Sequence, residues 1–154
     1  MYSKCCGRFI EENKLPQTPE ELMRSRYTAY TRANIDYIES TMLPPAADGF
    51  DRNDAYIWAK TVTWKKLQVI NSNLDKGIVE FIAYFTFNRQ VQAIHEKSYF
   101  IKQAGRWFYT DGETFQVEPQ NEPGRNDPCY CGSKKNIRSA VGINLVRHVS
   151  RFFA

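Results

Sequence analysis

The 154-residue sequence has no cysteine between Cys6 and Cys129, and it contains no low-complexity segment or internal repeat. No apolar run approaches the roughly 20 residues that a membrane-spanning helix needs. The first residues, Met1 to Gly7, lack the apolar centre of a secretory signal. These absences exclude collagen-like and repeat architectures, and they lead us to expect a cytoplasmic protein without a membrane span.

The composition is that of one globular domain with an uneven charge. Hydrophobic residues make up 42% of the chain and charged residues 25%, which excludes a disordered protein. The net charge of +4 is concentrated at the C-terminal end, because the residues from Pro123 onward carry +5 and the preceding 122 residues carry −1. A basic end of this kind is either solvated or a contact surface for nucleic acid or an acidic protein.

Helical patterns come first along the chain and β patterns follow. Three signals agree on a helix start, because Thr18 can cap, Pro19 suits the first turn and Glu21 completes a capping box. This helix should run to about Ala33, and further helical segments are predicted at 35–43 and 51–60. The apolar period then changes to two, which predicts strands at 62–71, 78–88, 92–102 and 106–115.

Short turns between these strands predict an antiparallel meander. Strands of about 10 residues are longer than usual, so the sheet should be strongly twisted and curled. We therefore predict an α+β fold in which N-terminal helices pack on a curved four-stranded antiparallel sheet. By analogy, this order of elements is that of the cone-shaped nuclear transport factor 2-like fold, which holds a pocket on its concave side.

The most specific string in the chain is GRNDPCYCGSKK at 124–135, which contains Cys129 and Cys131. It resembles the opening of a SEC-C motif, a small zinc-binding module with the pattern C-x-C-G-S, a lysine-rich spacer and a second ligand pair. No cysteine follows Cys131, and the residues from Asn136 to Ala154 do not resemble the module. A changed reading frame would account for this tail.

The N-terminal string YSKCCG, with Cys5 and Cys6, resembles the second half of the same motif. The two partial motifs lead us to expect four segments. These are a partial SEC-C motif at 1–10, a nuclear transport factor 2-like domain at 15–118, a linker with a partial SEC-C motif at 119–135, and an atypical basic tail at 136–154.

Three central strings extend the resemblance to a whole family: LMRSRYTAY at 22–30, HEKSYF at 95–100 and GRWFYTDG at 105–112. With the partial motifs, they are similar to the YchJ-like family of bacterial proteins, in which a nuclear transport factor 2-like domain lies between two SEC-C motifs. The resemblance covers about residues 5–135. It implies the fold and a zinc-binding class, but it implies no reaction.

The four cysteines suggest one hypothesis for a metal and two alternatives. Cys5, Cys6, Cys129 and Cys131 would together supply the four thiolates of a tetrahedral zinc site if the two ends of the domain meet. His148 could replace one of these ligands. Alternatively, both partial motifs are broken and the cysteines are thiols without metal, or zinc bridges two chains.

A second candidate site lies on the concave face of the predicted sheet. If Phe81 and Phe85 face inward, alternation brings Glu96 to the same side, with Glu96 as a possible base and Arg26 as its partner or as an anion anchor. The pocket candidates are Arg26, Tyr30, Trp58, Glu96, Ser98, Phe100, Trp107, Tyr109 and Asp111.

Two other interpretations of these residues stay open. Glu96 and Arg26 could form a buried, hydrogen-bonded ion pair that fixes the first helix on the sheet. A register shifted by one residue would instead turn His95 and Asp111 inward as an acid–base pair.

The sequence therefore leaves two functional classes. The favoured interpretation is a zinc-dependent binding or adaptor protein whose partner is a protein or nucleic acid. The alternative is an enzyme that uses acid–base chemistry on a small organic molecule in the cone. No nucleophile elbow, phosphate-binding glycine loop or HExxH string is present.

Overall fold

The structure is a computed structural model that describes residues 6–117. Its helices lie in the N-terminal half and its strands in the C-terminal half, as the sequence predicted. The elements are α1 (Gly7–Ile10), α2 (Pro19–Thr31), α3 (Ile35–Ser40), a 3-10 helix (Ala46–Gly49), α4 (Arg52–Thr61), β1 (Thr63–Asn73), β2 (Ile78–Phe87), β3 (Gln90–Gln103) and β4 (Arg106–Phe115).

Short polar side chains begin the three longer helices. Thr18 Oγ1 accepts a hydrogen bond from the backbone N–H of Glu21 at 3.1 Å, which confirms the predicted start of α2. Asn34, at the interruption expected from the sequence, caps α3. Asp51 caps α4 in the same way.

Helix α3 ends at Ser40, which is earlier than the predicted Leu43. The residues that follow it turn to the sheet. Leu43 N–H donates to Tyr109 O and Tyr109 N–H donates to Thr41 O, each at 2.9 Å. Residues 41–43 therefore form a short extended segment that pairs with the middle of the β4 edge and connects the helical layer to the sheet.

The four strands form one antiparallel sheet in the order β1-β2-β3-β4. The predicted α+β class, the meander and the curved sheet are confirmed. Irregularities interrupt the pairing twice between β1 and β2 and once between β3 and β4, the last next to Tyr99 and Phe100. Such bulges increase the local twist of a sheet and redirect the side chains beside them.

The core lies between the concave face of the sheet and the helices. Val79, Phe81, Ala83 and Phe85, which alternate along β2, are all buried. Aromatic rings from three elements meet above them, with Trp58 and Trp64 centroids 4.9 Å apart and perpendicular. Burial of these large side chains is the main stabilising contribution that the fold offers. Within residues 6–117, no helix is long and apolar enough to cross a membrane.

Candidate functional site

The concave face encloses a cluster of polar side chains that are buried from the protein surface. Glu96 is 0% exposed, Ser98 1%, Tyr109 2% and Arg26 3%. The first three come from β3 and β4, and Arg26 comes from α2. We refer to these four residues as the buried polar cluster.

One oxygen of the Glu96 carboxyl group is well bound. Oε1 accepts hydrogen bonds from the hydroxyl groups of Ser98 at 2.5 Å and Tyr109 at 3.1 Å. The second oxygen, Oε2, is buried and has no hydrogen-bond partner among the described residues. An unpartnered buried acceptor is unusual in a folded protein, because the desolvation of that oxygen is not offset.

Arg26 is bound by neutral groups in the last turn of α3 and at the residue that follows it. Its Nη1 donates to the backbone carbonyl of Ile38 at 2.8 Å and to Thr41 Oγ1 at 2.7 Å. These bonds satisfy a carbonyl at the end of α3, where a positive charge is also favoured by the helix dipole. Its Nη2 is buried and has no hydrogen-bond partner within residues 6–117.

The expected ion pair between Arg26 and Glu96 is not formed. Among the described residues, no nitrogen of Arg26 lies within 4.0 Å of a carboxylate oxygen. Tyr109 lies between the two groups instead, since the Arg26 guanidinium carbon is 4.7 Å from the Tyr109 ring centroid and the Tyr109 hydroxyl reaches Glu96. The cation is held by a ring face and by neutral oxygens rather than by the carboxylate.

Burial determines the protonation behaviour of the cluster. Desolvation raises the pKa of Glu96 from 4.5 to about 7, although bonds from Ser98 and Tyr109 and the charge of Arg26 act in the opposite direction. Desolvation also lowers the pKa of Arg26 and raises the pKa of Tyr109. A carboxyl group with a pKa near neutrality can both release and accept a proton under ordinary conditions.

The remaining predicted pocket residues are buried in different parts of the core, and the structure does not bring all of them to the cluster. Tyr30 is fully buried, and its ring centroid lies 5.9 Å from that of Trp58. Phe100 packs edge-to-face on Tyr109 at 5.7 Å. Trp107 is buried, but its indole N–H donates to Gln17 O at 3.1 Å, which places this ring beside the segment before α2.

Asp111 was predicted on the concave face, and this expectation was wrong. The bulge in β4 places Tyr109 opposite Phe100 and Asp111 opposite Tyr99, so strict alternation fails between Tyr109 and Asp111. Asp111 is consequently exposed. Its place on the concave side is taken by Gly112, opposite Ser98.

His95 faces away from the cluster, as the favoured register predicted. Its Nε2 lies 2.7 Å from Glu80 Oε1, and its ring packs 4.8 Å from the Phe115 ring. The alternative of an inward acid–base pair of His95 and Asp111 is therefore excluded by the register.

Sequence reasoning missed two residues that shape the cluster, Thr41 and Gly112. Thr41 carries no motif, and it contacts Arg26 only because α3 folds back on α2. An added Cβ at Gly112 would lie 2.5 Å from Tyr109 Oη and 2.7 Å from Glu96 Oε1. A side chain at this position would therefore displace the Tyr109 hydroxyl or the Glu96 carboxyl group. The only signal in the sequence was a glycine inside a strand pattern.

The predicted zinc ligands fall mostly outside the described residues. Cys5, Cys129 and Cys131 lie there, as does His148. Cys6 is buried at the start of α1. Within residues 6–117, no group of three or more histidine, cysteine or acidic side chains could hold a metal ion.

Comparison with known proteins identifies the family of this chain. Residues 18–112 match the family model described as the YchJ middle NTF2-like domain. A UPF0225 protein from Geobacter sulfurreducens is 37% identical over 148 residues, and the match covers 92% of each chain. This chain belongs to the YchJ-like family. A second relative of this YchJ-like chain, a UPF0225 protein from Actinobacillus succinogenes, is 36% identical, with 94% of this chain and 92% of the relative covered.

Two solved structures resemble this YchJ-like chain. The solution structure of a SEC-C motif containing protein from Rhodopseudomonas palustris is 37% identical, has a TM-score of 0.69, and matches 75% of this chain and 93% of its own. The crystal structure of a SEC-C motif containing protein from Psychrobacter arcticus is 30% identical, has a TM-score of 0.60, and matches 88% of this chain and 82% of its own. These neighbours support the SEC-C resemblance that the sequence indicated.

Proposed function

We propose that this YchJ-like protein is a binding or adaptor protein that contacts a protein or nucleic-acid partner through its SEC-C segments and its basic C-terminal end. The observation that carries the proposal is the C-x-C-G-S string at 129–133, together with two structural neighbours described as SEC-C motif containing. The buried polar cluster is closed to a macromolecule, so such a partner would contact other parts of the chain.

Zinc is part of this proposal. The donor set of Cys5, Cys6, Cys129 and Cys131 has the chemistry of a structural zinc site, since four thiolates complete a tetrahedron. The described residues supply one of these four donors, Cys6. Metal held by both ends would join the chain termini and stabilise the SEC-C segments, which are too small to fold on a core of their own.

The zinc content of freshly purified, reduced protein tests the metal. We expect about one zinc per chain, with loss of the metal in Cys129→Ser and retention in the control Ser139→Ala, which lies outside the C-x-C-G-S string. Protein without zinc under reducing conditions would contradict the composite site.

Retention on immobilised nucleic acid tests the partner. A contact made by the basic end should weaken steeply as salt rises, and it should be lost when the residues after Gly124 are removed. Retention that is insensitive to salt or to this truncation would contradict a nucleic-acid partner. The proposal would then be limited to a protein partner.

Glu96 favours a second function, which is an enzyme or carrier that binds a small molecule within the cone. Its Oε2 has no partner in the described part of the chain, and its pKa of about 7 suits a general acid or base. A small molecule carried through purification would support this function. If the pH dependence of its binding were unchanged in Glu96→Gln, the proposed role of Glu96 would be wrong.

A further inference from the structure

We infer that Arg26 and Glu96 together bind the carboxylate group of a small organic acid beside Tyr109. This inference rests on the second proposed function, that the cone takes up a small molecule, and it names the class of that molecule.

The first argument is the pair of unpartnered atoms. Nη2 of Arg26 and Oε2 of Glu96 are both buried, and neither has a hydrogen-bond partner in residues 6–117. Both belong to side chains that contact Tyr109, one over its ring and the other at its hydroxyl. A ligand carboxylate beside Tyr109 could accept from Nη2 with one oxygen and from a protonated Oε2 with the other, which would satisfy both atoms.

The second argument is the charge of the cluster. The hydrogen bonds of Arg26 Nη1 go to neutral oxygens, and no carboxylate of the described residues lies within ion-pair distance of Arg26. When Glu96 is protonated, the buried guanidinium has no compensating charge beside it. A buried cation without a counter-ion is costly, so a monovalent anion would restore neutrality. A second buried ionised carboxylate next to an ionised Glu96 would be disfavoured.

Binding should therefore be coupled to the protonation of Glu96. The groups that act on this carboxyl are Arg26 from α2, Ser98 from its own strand, and Tyr109 and Asp111 from β4. Tyr30 and Tyr37 act on Arg26 from the helical layer. Asp111 is exposed and lies outside the cluster. Arginine keeps its proton in proteins, and burial raises the pKa of Tyr30, Tyr37 and Tyr109 above the ordinary value of 10. Within the cluster, proton uptake between pH 6 and 8 therefore falls to Glu96.

The test is a proton–nitrogen correlation NMR titration of the full chain with sodium acetate at pH 6 and pH 8, against sodium chloride at the same ionic strength. Acetate is expected to shift the backbone signals of Ser98, Tyr109 and Gly112. The apparent affinity should be about tenfold higher at pH 6, which is the ratio of protonated fractions for a carboxyl with a pKa of about 7. Acetate shifts confined to other residues would overturn the inference.

Variants separate the two partners of the ligand. In Glu96→Gln the amide N–H replaces the carboxyl donor, so acetate should still bind but with equal affinity at both pH values. Arg26→Gln should lose acetate binding, provided that its circular dichroism shows a folded chain. If Arg26→Gln does not fold, the pH profile of Glu96→Gln decides alone. Glu113→Gln, an exposed change on β4, should behave as the unchanged protein.

Acetamide, the neutral isostere of acetate, distinguishes this inference from the function on which it rests. Shifts of the same three signals by acetamide but not by acetate would overturn the carboxylate assignment and leave a small-molecule function standing. An absence of shifts with both compounds would overturn the inference. The function itself would then be judged by whether any small molecule accompanies the purified protein.

Discussion

Tyr109 donates a hydrogen bond to Glu96 with 3.1 Å between Oη and Oε1, although the two residues are not opposite each other in the sheet. Tyr109 pairs with Phe100 and Glu96 pairs with Thr114. The Tyr109 side chain therefore extends along β4 as far as Gly112, where an added Cβ would meet its hydroxyl. The pKa of Glu96 therefore depends on a hydrogen bond whose donor, Tyr109, is positioned by the bulge in β4.

Replacement of Tyr109 by phenylalanine should raise the pKa of Glu96 above its value of about 7. The hydroxyl hydrogen bond stabilises the ionised carboxylate, so its loss favours the protonated form. Carbon-13 NMR of the Glu96 carboxyl across a pH titration measures this shift. Tyr99→Phe is the matched control, because Tyr99 donates to the exposed Glu113 and should leave Glu96 unchanged. An unaltered or lower pKa in Tyr109→Phe would contradict the prediction.

The stability of the protein should decrease as the pH rises from about 4.5 to about 7. The pKa of Glu96 is higher in the folded chain than its ordinary value of 4.5, so the folded state binds more protons in this range. The free energy of unfolding then falls by a few kcal/mol up to the folded pKa and stays lower above it.

Urea unfolding of Glu96→Gln tests this dependence. In this variant the free energy of unfolding should lose the part of its pH dependence that Glu96 causes. The variant should also be more stable than the unchanged protein at pH 8. The exposed substitution Glu12→Gln should keep the slope. A Glu96→Gln variant that is less stable at pH 8 would show that the carboxylate itself stabilises the fold.

Substitution of Gly112 by alanine should destabilise the protein by about 1–3 kcal/mol, as overpacking of a core does. The new methyl group would lie 2.7 Å from Glu96 Oε1 and 2.5 Å from Tyr109 Oη, so the hydrogen bond between these side chains would have to move. Gly49→Ala is the control, because nothing lies within 4 Å of an added Cβ there. Thermal unfolding of both variants gives the comparison, and equal melting temperatures would refute the proposed crowding.

Thr41→Val should cost about 1–3 kcal/mol of unfolding free energy, because Arg26 loses one of its two acceptors while it remains buried. Valine keeps the shape of the side chain, so the loss would report the hydrogen bonds of the Thr41 hydroxyl rather than a cavity. This hydroxyl accepts from Arg26 and also donates to the backbone carbonyls of Tyr37 and Ile38. The exposed Thr61, which donates to Ile57 O on α4, provides the control Thr61→Val with a smaller expected loss. Denaturant unfolding measures both, and equal losses would mean that Thr41 contributes little to holding Arg26.

The sequence was sufficient for the three longer helices and the four strands, apart from the end of α3, and for the inward face of most strands. Thr18 and Pro19 mark the start of α2 through local hydrogen bonding and fixed backbone geometry, neither of which depends on distant residues. The two-residue period of β2 and β3 placed Phe81 and Glu96 on one face, because pleating alone determines that alternation.

Tertiary structure decided the contacts within the buried polar cluster. Asp111 left the concave face because of a bulge, and a bulge depends on how two strands fit rather than on the pattern of one. Arg26 bonded Ile38 and Thr41 instead of Glu96, since the turn between α2 and α3 brings a helix end within its reach. Local propensity and alternation are properties of neighbouring residues, whereas the partner of a buried charge is fixed only when separate elements pack together.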